Sequence, residues 1–123
     1  MVTINYRDGR PIYEQVKDDL RRLVVTGAMQ PGEKLPSVRE LALEAGVNPN
    51  TVQRSLTELE REGLVFSQRT AGRFVTENEN MIVNAKLRIA DERVSEFLRS
   101  MKTLGCGRQE IISLIEGAKE DEE

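Results

Sequence analysis

The fold of this chain is decided by the stretch from Ser37 to Gly63, which reads SVRELALEAGVNPNTVQRSLTELEREG. Ser37 and Glu40 stand three residues apart, the spacing of a capping box, in which two side chains satisfy each other's unpaired backbone amides at a helix start. A helix is therefore predicted from here to about Ala45. Gly46 follows at once and supplies the left-handed conformation that commonly ends a helix.

A second helix is predicted directly after this glycine turn. Asn48 is suited to its N-cap and Pro49 to its first position, where a missing amide hydrogen costs nothing. The apolar residues that follow recur at helical spacing as far as Glu62, so they predict one buried face. That face consists of Val52, Leu56 and Leu59. Two short helices joined by a glycine turn are typical of a helix-turn-helix, whose second helix, here about Asn48 to Glu62, is the recognition helix.

The flanking segments complete a winged arrangement. Upstream, apolar residues at helical spacing predict a helix over residues 11–26, with Pro11 as its first residue. A Pro-Gly turn is predicted after this helix, at residues 31–32. Downstream, residues 64–67 and 73–76 are β-like and are separated by a loop that contains glycine, which predicts a hairpin. This hairpin is the expected wing.

The C-terminal part carries more apolar residues than a small domain can bury by itself. A helix is predicted from about Asn80 to Leu104, and a short last helix from Arg108 to Glu116 after a glycine-rich break. We interpret the apolar stripe of these helices as a dimer seam. A ligand cavity is the alternative, although methionine in a helical stripe more often packs in a core. The seam residues are Leu87, Val94, Phe97, Leu98, Met101, Ile111, Leu114 and Ile115.

The expected architecture is mainly α with a small β-hairpin. An N-terminal winged helix-turn-helix is expected over residues 1–76, and a C-terminal two-helix dimerisation segment over residues 77–123. Two end segments are also interpreted. Met1 to Tyr6 alternates in polarity and predicts an extended segment, and Lys119 to Glu123 is an acidic tail.

The composition argues against catalysis. The 123 residues include no His and one Cys, which removes Ser-His-Asp and Cys-His catalysis, His-ligated metal sites and an internal disulfide. Paired carboxylates remain chemically possible, but the 21 acidic residues are better interpreted as solvated surface. No apolar run reaches the roughly 18 residues of a membrane helix, and no signal peptide opens the chain. We therefore expect a cytoplasmic protein that is not an enzyme and has no cofactor, metal or membrane partner.

The net charge of −3 is unevenly distributed. Residues 1–76 hold 11 basic and 10 acidic residues, a balance of +1, whereas residues 77–123 hold 7 and 11, a balance of −4. Two windows contain no acidic residue, and these are residues 45–57 and 63–76. Because a surface that approaches phosphates should be cleared of carboxylates, the windows favour double-stranded DNA as the partner.

The candidate base readers lie near the start of the recognition helix. Because the apolar stripe faces inward, polar residues between its members should project outward. They are Asn50, Thr51, Gln53 and Arg54. Asn and Gln can bind adenine through two hydrogen bonds, Arg can bind guanine, and Thr can contact a phosphate or a thymine methyl group. Plainer alternatives stay open: Asn48 is only a cap, the polar side chains are merely solvated, or Arg54 pairs with the glutamate four residues on.

Further candidates lie in the first helix of the motif and in the wing. Arg39 stands early in its helix, where a positive charge opposes the helix dipole, so an outside anion is a reasonable partner. An ordinary surface charge is the alternative. Arg69 and Arg73 flank the wing loop, and they either reach phosphates or the minor groove or are solvated turn residues.

The chain resembles a known family over most of these elements. The matching stretches are PIYEQV at 11–16, GAMQPGEKLPSVRELA at 27–42, GVNPNTV at 46–52, LEREGL at 59–64 and GRFV at 72–75. They resemble the GntR family of bacterial regulators, in particular its short YtrA-like branch. The resemblance covers residues 10–76 closely and the remaining helices more loosely.

The resemblance implies a winged helix-turn-helix that binds a pseudo-palindromic operator as a homodimer. The short branch often represses its own operon, which contains ABC-transporter genes. The residues and the resemblance together give a set of expected DNA contacts: Ser37, Arg39, Asn48, Asn50, Thr51, Gln53, Arg54, Arg69, Thr70, Gly72 and Arg73. The alternative hypothesis is a protein-interaction module that uses the C-terminal helices and carries a vestigial DNA-binding domain.

The chain departs from the family pattern at two places. Thr70 and Ala71 stand where the family usually has a glycine followed by a variable residue. We therefore expect Arg69 and Arg73 to supply more of the DNA contacts of the wing. Gly107 stands where the branch tends to place a better helix cap. The 47 residues after Thr76 are expected to be too few for the effector-binding or pyridoxal-phosphate domains of larger branches, so no small-molecule effector is assigned.

Overall fold

The computed structural model of the protein describes residues 9–119. The extended segment expected at Met1 to Tyr6 and residues 120–123 of the acidic tail lie outside this part of the chain. Five helices and two strands are described: α1 (Ile12–Val25), α2 (Val38–Ala45), α3 (Pro49–Arg61), β1 (Val65–Gln68), β2 (Gly72–Val75), α4 (Glu79–Thr103) and α5 (Arg108–Gly117). The mainly helical fold with one β-hairpin is confirmed. None of the helices between residues 9 and 119 is long and apolar enough to cross a membrane.

Local capping signals place α2 and α3 as the sequence predicts. Ser37 accepts a hydrogen bond from the Glu40 amide, while the Glu40 carboxylate accepts one from the Ser37 amide, at 3.1 and 2.9 Å. Gly46 has the left-handed φ of 69° that ends α2. The Asn48 side chain accepts from the Asn50 amide at 2.7 Å, and proline occupies the first helical position. The helix-turn-helix is therefore set by contacts within a few residues.

The start of α1 differs from the prediction by one residue. Pro11 is the N-cap and not the first helical residue, because its ψ of 141° is extended. Its carbonyl accepts hydrogen bonds from the amides of Glu14 and Gln15, so it closes the first turn from outside the helix. No side chain caps this helix start.

The core of the winged domain joins α1, α2, α3 and the hairpin. Its most deeply buried apolar residues are Val16, Leu20, Val24, Leu41, Val52, Leu56, Leu59, Leu64, Val65 and Val75. All of them are aliphatic, as the scarcity of aromatic residues requires. Ser55 is fully buried on α3, and its hydroxyl donates to backbone carbonyls on α1 and α3. The buried hydroxyl is thus satisfied, and it ties α3 to α1.

The wing hairpin has a third extended segment at its base, which the sequence analysis missed. β1 and β2 are antiparallel, with Phe66 opposite Phe74 and their rings 5.7 Å apart. Lys34 forms a bridge with Phe74, and the Leu35 amide donates to the Arg73 carbonyl at 2.9 Å. The sequence pattern predicts no element for residues 33–35, because so short a segment has no periodicity. Its hydrogen bonds join the wing to the chain just before α2.

The first turns of α4 belong to the winged domain. Ala85 is buried in its core, and the methyl group of Met81 covers Gly63, where an added Cβ would lie 2.0 Å away. The first compact unit accordingly ends at Lys86 and the second begins at Leu87. This boundary lies ten residues beyond the one expected at residue 76, because Met81, Ile82 and Ala85 pack on the winged core.

The wing loop places a β-branched residue in a left-handed conformation. Thr70 has a φ of 71°, and among the described residues no other non-glycine residue has a positive φ. The Ala71 amide donates to the Gln68 carbonyl at 3.0 Å and closes the turn around it. Because Cβ crowds the backbone in this region, most of all when it is branched, the turn stores strain at the position where the sequence departs from the family.

Replacing Thr70 by glycine is therefore expected to stabilise the protein by about 1 kcal/mol, within a range of about 0–2.5 kcal/mol. Glycine removes about 1–3 kcal/mol of left-handed strain and costs about 0.5–1 kcal/mol through its greater freedom in the unfolded chain. Ala71→Gly is the matched control, because Ala71 lies in the same turn without a positive φ and should only lose stability. Urea denaturation of the two variants gives the comparison. If both substitutions lower the free energy of unfolding, the turn is not strained at Thr70.

Candidate nucleic-acid interface

The recognition helix α3 presents its polar residues on the side opposite the core. Val52 and Leu59 are fully buried, whereas Asn50, Gln53 and Arg54 are exposed and Thr51 is half-buried. The predicted outward direction is confirmed for Asn50, Gln53 and Arg54, whereas Thr51 is only partly exposed. Hydrogen-bond donors and acceptors of the type that read base edges thus lie near the N-terminus of α3. The opposite face of this helix is buried in the core.

Two of the expected DNA contacts also act as helix caps. The Asn48 side-chain oxygen is occupied by the Asn50 amide, and the Ser37 hydroxyl by the Glu40 amide. The cap proposed as an alternative for Asn48 is therefore present. Arg39 lies in the first turn of α2 with an exposed side chain, and no ion pair holds it within residues 9–119. It is open to an outside anion.

The two wing arginines have different surroundings. Arg69 is exposed at the loop tip. Arg73 is one-fifth exposed, and its Nε donates to the Glu60 carboxylate at 2.9 Å, where the Ser67 hydroxyl also donates. Glu60 therefore joins the wing to α3, and Arg73 is a brace between the two elements. Sequence spacing could not show this contact, because its partners lie thirteen residues apart in different elements.

Lys34 is a basic residue at the wing base that the sequence analysis did not single out as a contact. Its side chain lies over Gly72, where an added Cβ would meet the lysine Cε at 3.1 Å. The φ of 110° at position 72 favours glycine, and a Cβ there would also displace the end of the lysine side chain by a few tenths of an ångström. The pairing of Lys34 with β2 carries its exposed side chain to the wing. The sequence signal for it is weak and consists of a polar Lys34 followed by an apolar Leu35.

Three contacts in register hold α3 against α1. On α1, Tyr13, Lys17 and Arg21 are each four residues apart, and they face residues of α3 with the same spacing. The facing pairs are Tyr13 with Arg54, Lys17 with Glu58, and Arg21 with Glu62. The two ion pairs measure 2.8 and 2.6 Å. This ladder refines the axial position of the recognition helix against α1.

The ladder also tests the alternative proposed for Arg54. Its Nε lies 3.7 Å from Glu58 Oε2, so the pairing four residues along α3 is present. The guanidinium carbon lies 3.6 Å from the centre of the Tyr13 ring. Arg54 nonetheless keeps 61% of its side chain exposed. Contacts with Tyr13 and Glu58 thus set the position of Arg54, while most of its side chain stays exposed to solvent.

Comparison with known proteins identifies this arrangement. Residues 12–75 match the family described as bacterial regulatory proteins, gntR family. The chain belongs to the GntR family. It is accordingly a DNA-binding transcription regulator with a winged helix-turn-helix, and its family is not enzymatic.

Relatives of known sequence support this over nearly the whole chain. The transcriptional regulator YhcF of Bacillus subtilis is 38% identical over 114 residues, which are 93% of this chain and 92% of YhcF. The transcriptional repressor YtrA of the same organism is 40% identical over 99 residues, 80% of this chain and 76% of YtrA. The similarity therefore extends beyond the winged domain into the C-terminal helices.

Solved structures agree with the sequence comparison. A GntR family transcriptional regulator from Listeria monocytogenes superposes with a TM-score of 0.84 at 35% identity and covers 91% of this chain and 98% of its own. The AraR DNA-binding domain, solved in complex with operator ORX1, covers 55% of this chain and 81% of its own, with a TM-score of 0.53 at 31% identity. The AraR complex shows this type of domain bound to operator DNA.

The expected seam of this GntR regulator is mostly exposed in the single chain. Leu87, Val94, Phe97, Leu114 and Ile115 are between 41% and 59% exposed. Leu98 and Met101 are half-buried. Ile111 is buried within the chain itself, at 6% exposure, so it stabilises the C-terminal unit and adds no open surface to the seam.

Three carboxylates of the winged domain have lowered pKa values. A hydrogen bond from Lys17 lowers the pKa of Glu58, and the nearby cations add to it. Partial burial alone would raise the pKa of Glu60, but hydrogen bonds from Arg73 and Ser67 outweigh it and the net pKa is lowered. The two hydrogen bonds with Ser37 lower the pKa of Glu40. Each carboxylate is therefore stabilised in its ionised form by the fold.

The winged domain of this GntR regulator is expected to lose stability on acidification. A carboxyl whose pKa is lower in the folded state stabilises the fold above its unfolded pKa of about 4.3, and the contribution disappears as the pH falls toward the folded pKa. We expect Glu60→Gln and Glu58→Gln each to flatten the dependence of the unfolding free energy on pH between about pH 5 and pH 3. Glu96→Gln, at an exposed position of α4, is the control. Unchanged pH dependence in both variants would contradict the proposed role of these pairs.

Proposed function

We propose that this protein represses transcription by binding a pseudo-palindromic operator as a homodimer, with α3 in the major groove. The observation that carries the proposal is the exposed pair Asn50 and Gln53 on a helix whose opposite face is fully buried. A fixed helix with two amide side chains at its entry can read adenine by paired hydrogen bonds, at about 1–3 kcal/mol for each correct base. YtrA and another GntR relative, NagR, are named as repressors, which supports repression over activation.

Basic residues around α3 supply the contacts with DNA that do not depend on the base sequence. Arg39 at the start of α2 and Arg69 at the wing tip are exposed and have no ion pair within residues 9–119. Lys34 adds a third positive charge at the wing base. In the proposed complex these side chains bind phosphates, Thr51 binds a phosphate at the α3 N-terminus, and the backbone near Thr70 and Gly72 approaches the minor groove. Asn48 and Ser37 act mainly by holding the helix starts in place.

A second copy of the chain is the partner that fits the C-terminal helices. Leu87, Ala90, Val94, Phe97 and Met101 follow one another at spacings of three, four, three and four, the pattern of a coiled-coil seam. Most of these side chains are exposed in the single chain. A symmetric pair covers the stripe and brings two recognition helices to two half-sites, as an operator with two-fold symmetry requires.

The proposed target is the protein's own operon, together with ABC-transporter genes. The proposal rests on the similarity to YtrA and YhcF over most of both chains. A footprint on the promoter upstream of the gene, with transcription of the downstream genes measured in a deletion strain, tests it. Raised transcription in the deletion strain supports repression, whereas lowered transcription would show activation.

Substitution of the base readers should separate recognition from general affinity. With an operator selected from a random duplex library, Gln53→Ala or Asn50→Ala is expected to relax preference at one base position by about 1–3 kcal/mol. Arg39→Ala, the control, should weaken all sequences alike and reduce the slope of log affinity against log salt by about 1. If Gln53→Ala and Asn50→Ala also weaken all sequences alike, these residues touch only the backbone. A wild-type salt slope near zero would refute DNA binding altogether.

A charge placed in the seam is expected to separate the two chains. Leu87→Glu combined with Val94→Glu should give a monomer in analytical ultracentrifugation, because two carboxylates would lose their hydration in an apolar contact. Operator affinity should then fall about 100-fold or more, since the two half-sites are no longer bound by linked domains. Ser95→Glu, at an exposed polar position beside the stripe, should leave the dimer intact. A double variant that still dimerises would contradict the seam assignment.

A further inference from the structure

Tyr13 occupies a fixed position beneath the guanidinium group of Arg54. The guanidinium carbon lies 3.6 Å from the ring centre, and the Lys17 ammonium lies 6.0 Å from the same centre. The Tyr13 backbone carbonyl accepts a hydrogen bond from the fully buried Ser55 hydroxyl at 2.7 Å. The residue next to Arg54 on α3 therefore anchors the tyrosine that Arg54 contacts.

Among Lys17, Arg54 and Glu58, the charges leave one positive charge in excess. Lys17 and Arg54 share the single carboxylate of Glu58, at 2.8 and 3.7 Å. The shorter pair is the less exposed one, with 16% of the Lys17 side chain and 23% of the Glu58 side chain accessible, against 61% for Arg54. The excess charge therefore resides on Arg54, at the surface.

Stacking leaves the hydrogen-bond donors of Arg54 available. A guanidinium group that lies flat on a ring uses its face, whereas its five N–H donors point outward in its plane. The Nε is the guanidinium nitrogen nearest to Glu58, and within residues 9–119 no hydrogen bond occupies the two terminal nitrogens. Arg54 follows Asn50 by one helical turn, and both lie on the outward side of α3. If Asn50 enters the groove as proposed, a phosphate beside that groove would lie on this side of the helix.

We propose that Tyr13 is a positioning residue for DNA binding, and that it holds Arg54 ready to bind an operator phosphate on the α1 side of the recognition helix. Arginine in solution samples many rotamers, and the ring limits them before DNA arrives, so less side-chain entropy is lost on binding. The inference rests on the proposed DNA-binding function and adds to it a phosphate contact prepared by a residue of α1.

A double-mutant cycle on the full-length chain tests the proposal. The probe is a duplex selected from a random library with the wild-type protein, and its affinity is measured by fluorescence anisotropy over a range of salt concentrations. We expect Tyr13→Leu to weaken binding about three- to tenfold, because an Arg54 that the ring no longer restrains loses more side-chain entropy when it binds a phosphate. Tyr13→Phe keeps the ring and should bind within about twofold of the wild type. In an Arg54→Gln background, Tyr13→Leu should produce no further change.

The readouts distinguish positioning from a merely structural role. Arg54→Gln should reduce the salt slope by about 1, because one phosphate contact is lost. Equal weakening by Tyr13→Leu in both backgrounds, or equal damage from Tyr13→Phe and Tyr13→Leu, would overturn the inference.

Should Tyr13→Leu fail to fold in thermal denaturation, Arg54→Lys replaces it, because lysine keeps the charge without the planar stack. That variant should weaken binding several-fold with an unchanged salt slope, and wild-type affinity would overturn the proposal. A wild type that shows no salt-dependent binding refutes the proposed function itself.

Discussion

Burial of Val52, Leu56 and Leu59 against the core gives every other residue of α3 its direction. Each of these side chains contributes about 1.5–3 kcal/mol when removed from water, so together they favour one rotation of the helix by about 5–9 kcal/mol. The ion pairs from Lys17 and Arg21 lie near the surface, where such pairs contribute about 0–1 kcal/mol each. The apolar stripe therefore selects the face that meets DNA, and the pairs refine its position along the helix axis.

Sequence reasoning succeeded where the determining contacts are local. The capping box at Ser37, the left-handed Gly46 and the Asn48 cap all act within a few residues, so their spacing in the chain is sufficient to predict them. It failed where partners are distant. The extended segment at 33–35 exists only because β2 pairs with it. The packing of Met81 on Gly63, which moves the domain boundary, likewise has no local signal.

The wing shows the same distinction within the candidate site. Sequence alone gave Arg69 and Arg73 the same role, since both flank the loop. In the structure Glu60 accepts hydrogen bonds from Arg73 and Ser67, and this carboxylate lies on α3. Arg73 thus ties the wing to the recognition helix through Glu60, whereas Arg69 stays exposed at the tip. Thr70 in its left-handed turn is tolerated because the strands on both sides of it are fixed by the hairpin register.

The acidic composition of the chain and its DNA-binding function are reconciled by where the carboxylates lie. In the winged domain, Asp18 and Glu62 pair with Arg21, Asp19 with Arg22, Glu58 with Lys17, and Glu60 with Arg73. These pairs lie along α1 and between α3 and its neighbours, so these five carboxylates are each paired with a cation of the same domain. The cations that remain exposed around the start of α3 and at the wing are Lys34, Arg39, Arg54 and Arg69. A net charge summed over the chain hides this separation, because residues 77–123 contribute −4 of it. A phosphate near the start of α3 or the wing responds more strongly to these nearby charges than to the net charge of the whole chain.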